Sequence, residues 1–179
     1  PSWGTLASVI STATLIAYLT GPVTVISLRE MAPNFKRPVK SAMLRVMAPL
    51  AFVLTSLAAY WAKWPTTVEV IGVIFLGIPL YLFYEWQSGW RSTWQQLKAS
   101  AWMLGYLVFL SVISLIGSAE FNGLNWIHYP MDFVVIILGA VIFYFWGINS
   151  HIISKYFRKA ARVNDKVKMP AAEDIERDK

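Results

Sequence analysis

The chain has no cysteine, which excludes thiolate metal sites, catalytic thiols and redox switching. Charge is nearly as scarce: 15% of the 179 residues are Asp, Glu, Lys or Arg, against about 25% in an ordinary soluble domain. That shortfall leaves too little polar surface for a domain facing water on every side, and so few charges in so apolar a chain also exclude disorder. Ten glycines are too few for a collagen-like chain. Histidine is limited to His128 and His151, neither with a carboxylate at metal-ligand spacing, so both read as interfacial polar groups rather than ligands. No glycine-rich phosphate loop, nucleophile elbow or zincin motif occurs. These absences point away from an enzyme and require no metal or cofactor.

What the chain does have is long hydrophobic runs. Hydrophobic residues make up 56% of it, and charged residues are absent from 1–28, 46–62, 70–84, 99–119 and 133–154. A hydrocarbon core about 30 Å thick takes roughly 20 helical residues, with a usable range near 17–25. The expected fold is therefore an all-α polytopic membrane helix bundle. Its five transmembrane helices fall near 5–28, 46–62, 66–84, 99–118 and 133–154. The third reaches spanning length only if Glu69 lies in its first turn, because a carboxylate at the bilayer centre would cost about 2.5–3.5 kcal/mol. There Glu69 is either a surface acid complementing the helix dipole or a proton-coupling carboxylate.

Fifteen of the sixteen Lys and Arg residues fall in the first and third connections and the tail, leaving Lys63 alone on the other side. By the positive-inside rule, Pro1 is outside and Lys179 cytoplasmic, in the cell's inner (plasma) membrane. The net charge of +6 therefore belongs to membrane loops and not to a folded polar surface, and nucleic acid is not an expected partner. Trp61 and Trp64 at the outer end, with Tyr81, Tyr84, Trp86, Tyr144, Trp146 and Tyr156 at the inner end, form aromatic belts. The segment 32–38 holds two prolines and reads as a loop. Over 86–97, Trp86, Trp90, Trp94 and Leu97 share one helical face opposite Arg91, Gln95 and Lys98. They describe either an interfacial helix or a structural linker. The tail, 155–179, carries eight basic and five acidic residues and is expected to lose order near Pro170.

Ser11, Thr14, Tyr18, Gly21 and Pro22 lie along one stripe of the first helix. Small and hydroxylated residues in such a stripe serve close helix packing or line a substrate pathway. Pro22 is expected to kink that helix, Gly72, Gly77 and Pro79 to break the third, and Ser111, Ser114 and Ser118 to give the fourth a packing edge.

Pro1-Ser2-Trp3, then 17–22 (AYLTGP), Leu28-Arg29 and Lys36-Arg37-Pro38, resemble a late helix and cytoplasmic loop of amino-acid permeases of the amino acid-polyamine-organocation superfamily. Gln95-Gln96-Leu97-Lys98, Ser100, Trp102, Gly105, Ile116-Gly117-Ser118, Gly123-Leu124, Pro130, Asp132 and Tyr144-Phe145-Trp146 resemble the extra C-terminal helix pair of bacterial aspartate-proton symporters. The resemblance implies the C-terminal part of a LeuT-like, APC-fold carrier plus that extra pair. It also implies proton-coupled uptake of an amino acid such as aspartate or glutamate by alternating access. The partners implied are the amino-acid substrate, the proton, the lipid bilayer and the remaining N-terminal helices of the same polypeptide. An odd helix count starting outside is likewise expected of the end of a longer chain. On this reading Ser11, Thr14 and Tyr18 are the substrate-pathway candidates and Glu69 the proton-coupling candidate. A different class also fits: a complete small membrane scaffold or accessory subunit whose basic tail binds lipid or protein.

Overall fold

A backbone buried in hydrocarbon must satisfy its own N–H and C=O groups, and a helix does so within one segment. The computed structural model describes residues 2–31, 43–88 and 93–150, and among these it contains helices and loops alone. The α-helices are Trp3–Tyr18 (α1), Thr20–Met31 (α2), Leu44–Tyr60 (α3), Thr66–Ser88 (α4), Thr93–Ile116 (α5) and Met131–Asn149 (α6), with a 3-10 turn at Ala119–Phe121. Among the described residues four apolar spans are long enough to cross a membrane: Trp3–Met31, which joins α1 and α2, then Thr66–Gln87, Leu97–Ile116 and Met131–Asn149. The shorter Leu44–Tyr60 is a fifth apolar helix. Its 17 residues reach about 26 Å at 1.5 Å per residue.

The first span divides where the sequence requires it. The Ser2 hydroxyl caps α1 by accepting from the Thr5 amide at 3.3 Å. At the other end Pro22 has no N–H to give the Tyr18 carbonyl, and its ring crowds that turn. The helix accordingly divides at Leu19, between α1 and α2. The break expected in α4 does not occur. That helix continues through Pro79 to Ser88, since the loss of one hydrogen bond bends a helix without ending it, and Gly72 and Gly77 face open space. Of the interfacial segment expected over 86–97, the residues up to Ser88 close α4 and those from Thr93 open α5. Residues 89–92 lie outside the described residues, as do the loop 32–38, His151 and the tail.

The core is formed where α3 meets α5 and α6. Phe52 of α3 lies 5.1 Å from the Tyr106 ring and 5.6 Å from that of Tyr144, and Tyr106 packs on Phe143 at 5.3 Å. Ile16, Leu19, Val23 and Ile26 of the bent span join this cluster, as do Val70 and Ile71 of α4. Glycines allow α5 and α6 to approach closely, as in many membrane helix pairs. A Cβ at Gly139 would enter the Phe109 ring, and one at Gly147 would lie 2.9 Å from Trp102. The outward faces of α4 and α6 expose Val73, Leu76, Leu80, Leu138 and Ile142, an apolar surface that water does not favour.

Candidate functional site

Two features rise above the apolar background. The first is the outward face of the bent span. Thr12, Ile16, Leu19, Val23 and Ile26 point into the bundle, so the residues one or two positions away point outward. Ser11, Thr14 and Tyr18 are all exposed, with Gly21 and Thr24 beyond them. The structure thus places the three pathway candidates together, directed away from the other described helices. Thr14 and Thr24 donate to the carbonyls of Ile10 and Thr20, at 2.8 and 2.7 Å, which lets a hydroxyl face hydrocarbon or a neighbouring helix without an unmet donor. Tyr18, 64% exposed, carries its phenol to the break between α1 and α2.

Glu69 lies far from that face along the chain, in the first turn of α4. Its side chain is exposed and its backbone amide donates to the Pro65 carbonyl at 3.0 Å. The carboxylate therefore sits at a helix N-terminus, where the dipole favours negative charge.

The second feature lies at the end of the bundle where α3 joins α4 and α5 joins α6. The loop after α5 turns back over its own helix: Leu124, Trp126 and Asn125 donate to the carbonyls of Leu115, Ile116 and Gly117 at 2.7, 3.0 and 2.8 Å. These bonds satisfy carbonyls that a helix C-terminus leaves open. Asn122 and Asn125 take the left-handed conformation such a return requires, and asparagine tolerates it better than most residues. The loop is joined to the α3–α4 corner by the Trp64 amide on the Phe121 carbonyl, 3.1 Å, and the Asn122 side-chain amide on the Trp64 carbonyl, 3.2 Å. Thr67 of α4 donates to the Ala59 carbonyl of α3 at 3.1 Å. Beneath these contacts Tyr60 donates its hydroxyl to the Asp132 carboxylate at 2.8 Å. Asp132 is fully buried, the only buried charged side chain among the described residues.

Sequence reasoning took up Asp132 only as part of the family resemblance and did not pair it. The available signal was position: Tyr60 lies near the end of one uncharged run and Asp132 immediately before another, so both belong to helix ends on the same side. Nothing in the sequence states which two helices are neighbours. His128 is exposed in the same loop.

Known proteins resemble this chain along most of its length. It is 42% identical over 165 residues to the glutamate/serine transporter AimA of Bacillus subtilis (strain 168), covering 92% of this chain and 31% of that protein. It is 30% identical over 149 residues to the aspartate-proton symporter of the same organism, covering 82% of this chain and 28% of the symporter. The chain is a homologue of amino-acid transporters. It spans a little under a third of the length of either one. No family model and no solved structure matches it. The similarity takes in most of the chain that carries the divided first span, the returning loop and the apolar outward faces.

Proposed function

We propose that this chain works as the C-terminal part of a secondary active transporter that takes up an amino acid, with glutamate, serine and aspartate as the substrates to test, together with a proton. The observation that carries this is its similarity over 92% of its length to a glutamate/serine transporter. The second relative, a proton symporter acting on aspartate, supports proton coupling. The plain transporter reading is favoured over a scaffold because both relatives are carriers.

In this reading the bent α1–α2 span faces the rest of the carrier. Its outward face holds Ser11, Thr14 and Tyr18, short polar groups of the kind that line a pathway or pack against another helix. Its helix is divided at the single residue Leu19, whose backbone stays helical, so the span continues across the membrane as one segment. Glu69 is the candidate for the proton step. The bilayer is the cell's plasma membrane. Pro1 faces outside and Lys179 the cytoplasm, because fifteen of the sixteen basic residues then lie on the cytoplasmic side.

The test is uptake of radiolabelled glutamate, serine and aspartate by the whole transporter in membrane vesicles under an imposed pH gradient. Uptake of at least one, driven by an inward proton gradient and abolished by a protonophore, is the expected result. Absence of uptake for all three, with the protein present in the membrane, would overturn the reading. Uptake that ignores the protonophore would remove the proton.

A further inference from the structure

Two side-chain hydrogen bonds between distant parts of the chain lie at the loop-bearing end of α3 and α6, one from Tyr60 to Asp132 and one from Asn122 to the Trp64 carbonyl. Tyr60 closes α3 at 1% exposure and Asp132 opens α6 at 0%. One Asp132 oxygen accepts the Tyr60 hydroxyl at 2.8 Å and the other accepts the Phe133 backbone amide at 2.9 Å. A carboxylate withdrawn from water is costly unless hydrogen bonds replace the solvent. Removing one partner leaves the other buried and unmet, so each side chain depends on the other holding its place.

The surroundings permit little movement. The Tyr60 ring packs on Phe121 at 4.9 Å and edge-on to Phe133 at 6.0 Å. A Cβ at Gly117 would collide with the Tyr60 hydroxyl, so the α5 terminus abuts the pair directly. The bond ties positions 72 residues apart. It therefore couples α3, which packs on both halves of the bent span, to α6, which packs on α5.

We propose that Tyr60 and Asp132 form a brace that makes α3 and α6 one rigid body, moved as a unit when the carrier turns over. This rests on the transporter reading for the motion, but not for the coupling between the two side chains. Both are positioning residues. Neither lies on the outward face that would meet substrate, so their loss slows turnover without changing substrate affinity.

The experiment is a double-mutant cycle in the whole transporter with Tyr60→Phe, Asp132→Asn and both together. Thermal melting of the purified protein is measured alongside maximal uptake rate and KM for glutamate, serine and aspartate. Each single variant is expected to lower the melting temperature and the maximal rate severalfold at unchanged KM. The double variant should be no worse than the weaker single, a coupling of roughly 2- to 100-fold, as for side chains in one hydrogen-bond network. Losses that multiply in the double variant, or single variants that match wild type, would overturn the brace. Coupled melting with an unchanged maximal rate, or with a raised KM, would overturn its role in turnover. A wild-type protein that transports none of the three amino acids yet shows coupled melting would sink the transporter reading and keep the brace. If Asp132→Asn does not reach the membrane, Tyr60→Phe, which keeps both ring contacts, decides the matter: wild-type melting and rate would overturn the proposal.

Discussion

Gly139 and Gly72 both sit inside apolar helices, but the packing around them is opposite. A Cβ at Gly139 would enter the Phe109 ring, which is half-buried and packed against Tyr106 at 6.0 Å and Phe143 at 5.7 Å. A Cβ at Gly72 meets nothing within 4 Å. Gly139→Ala should therefore destabilise the protein by about 1–3 kcal/mol, the usual cost of overpacking. Gly72→Ala should be neutral or stabilise by up to roughly 1 kcal/mol through helix propensity. Thermal melts of the two variants in the same detergent check the contrast, and equal melting temperatures would mean that α5 and α6 are not in close contact. The sequence shows two helical glycines and no difference between them, because the difference lies in a ring thirty positions away. Tyr18, in contrast, was legible: three hydroxyl-bearing residues at helical spacing do share one exposed face. If that face lines the pathway, Tyr18→Phe should raise the KM for uptake by about fivefold, the worth of one ordinary hydrogen bond near 1 kcal/mol, at unchanged membrane abundance. Identical kinetics would assign the stripe to helix packing.

At the scale of an element, Pro22 decides the shape of the first span. The proline was readable as a kink, and the structure divides the helix three residues earlier, at Leu19, because the clash and the missing bond both fall on the preceding turn. Pro79 in α4 has the same chemistry and ends nothing. Proline marks where a helix can yield, and the surrounding packing sets how far it does so. Pro22→Ala restores the donor and removes the clash, so it should straighten the span and lower the initial rate of amino-acid uptake severalfold while leaving abundance intact. A variant that transports at the wild-type rate would show the bend to be dispensable. The start of α4 carries the other prediction at this scale. Glu69 is exposed in the first turn, where the helix dipole is worth roughly 0.3–1 kcal/mol to a carboxylate. If it serves only that end, Glu69→Gln should leave the pH dependence of uptake unchanged and cost no more than that amount in stability. A flattened pH profile with normal abundance would make Glu69 the coupling carboxylate.

For the whole molecule, counting uncharged runs gives the five apolar helical spans found among the described residues, since a hydrocarbon-facing segment must be long and nearly free of charge. Which helices touch is a different matter. That α3 packs on α6 depends on the fit of Phe52 against Tyr106 and Tyr144, and neither this nor the packing of α4 on α1 leaves a trace in composition. The Tyr60–Asp132 pair was missed for the same reason. Sidedness lies between these cases, because basic residues report it and the structure adds a constraint. The bonds from Trp64 to Phe121 and from Asn122 to Trp64 hold segments 61–65 and 117–130 at one end, so Lys63 and Glu120 must share a side of the membrane. The absence of cysteine in this chain makes that testable one position at a time in a cysteine-free background of the whole carrier. Under the proposed orientation, Lys63→Cys and Glu120→Cys should react with a membrane-impermeant maleimide added to intact cells. Met43→Cys and Asn149→Cys, at the opposite ends of α3 and α6, should react only after the cells are opened. The reverse pattern would invert the topology and put fifteen basic residues outside, against the charge rule. Labelling of Lys63→Cys and Glu120→Cys from different sides would be more serious, because no bundle in which Trp64 bonds Phe121 could give it.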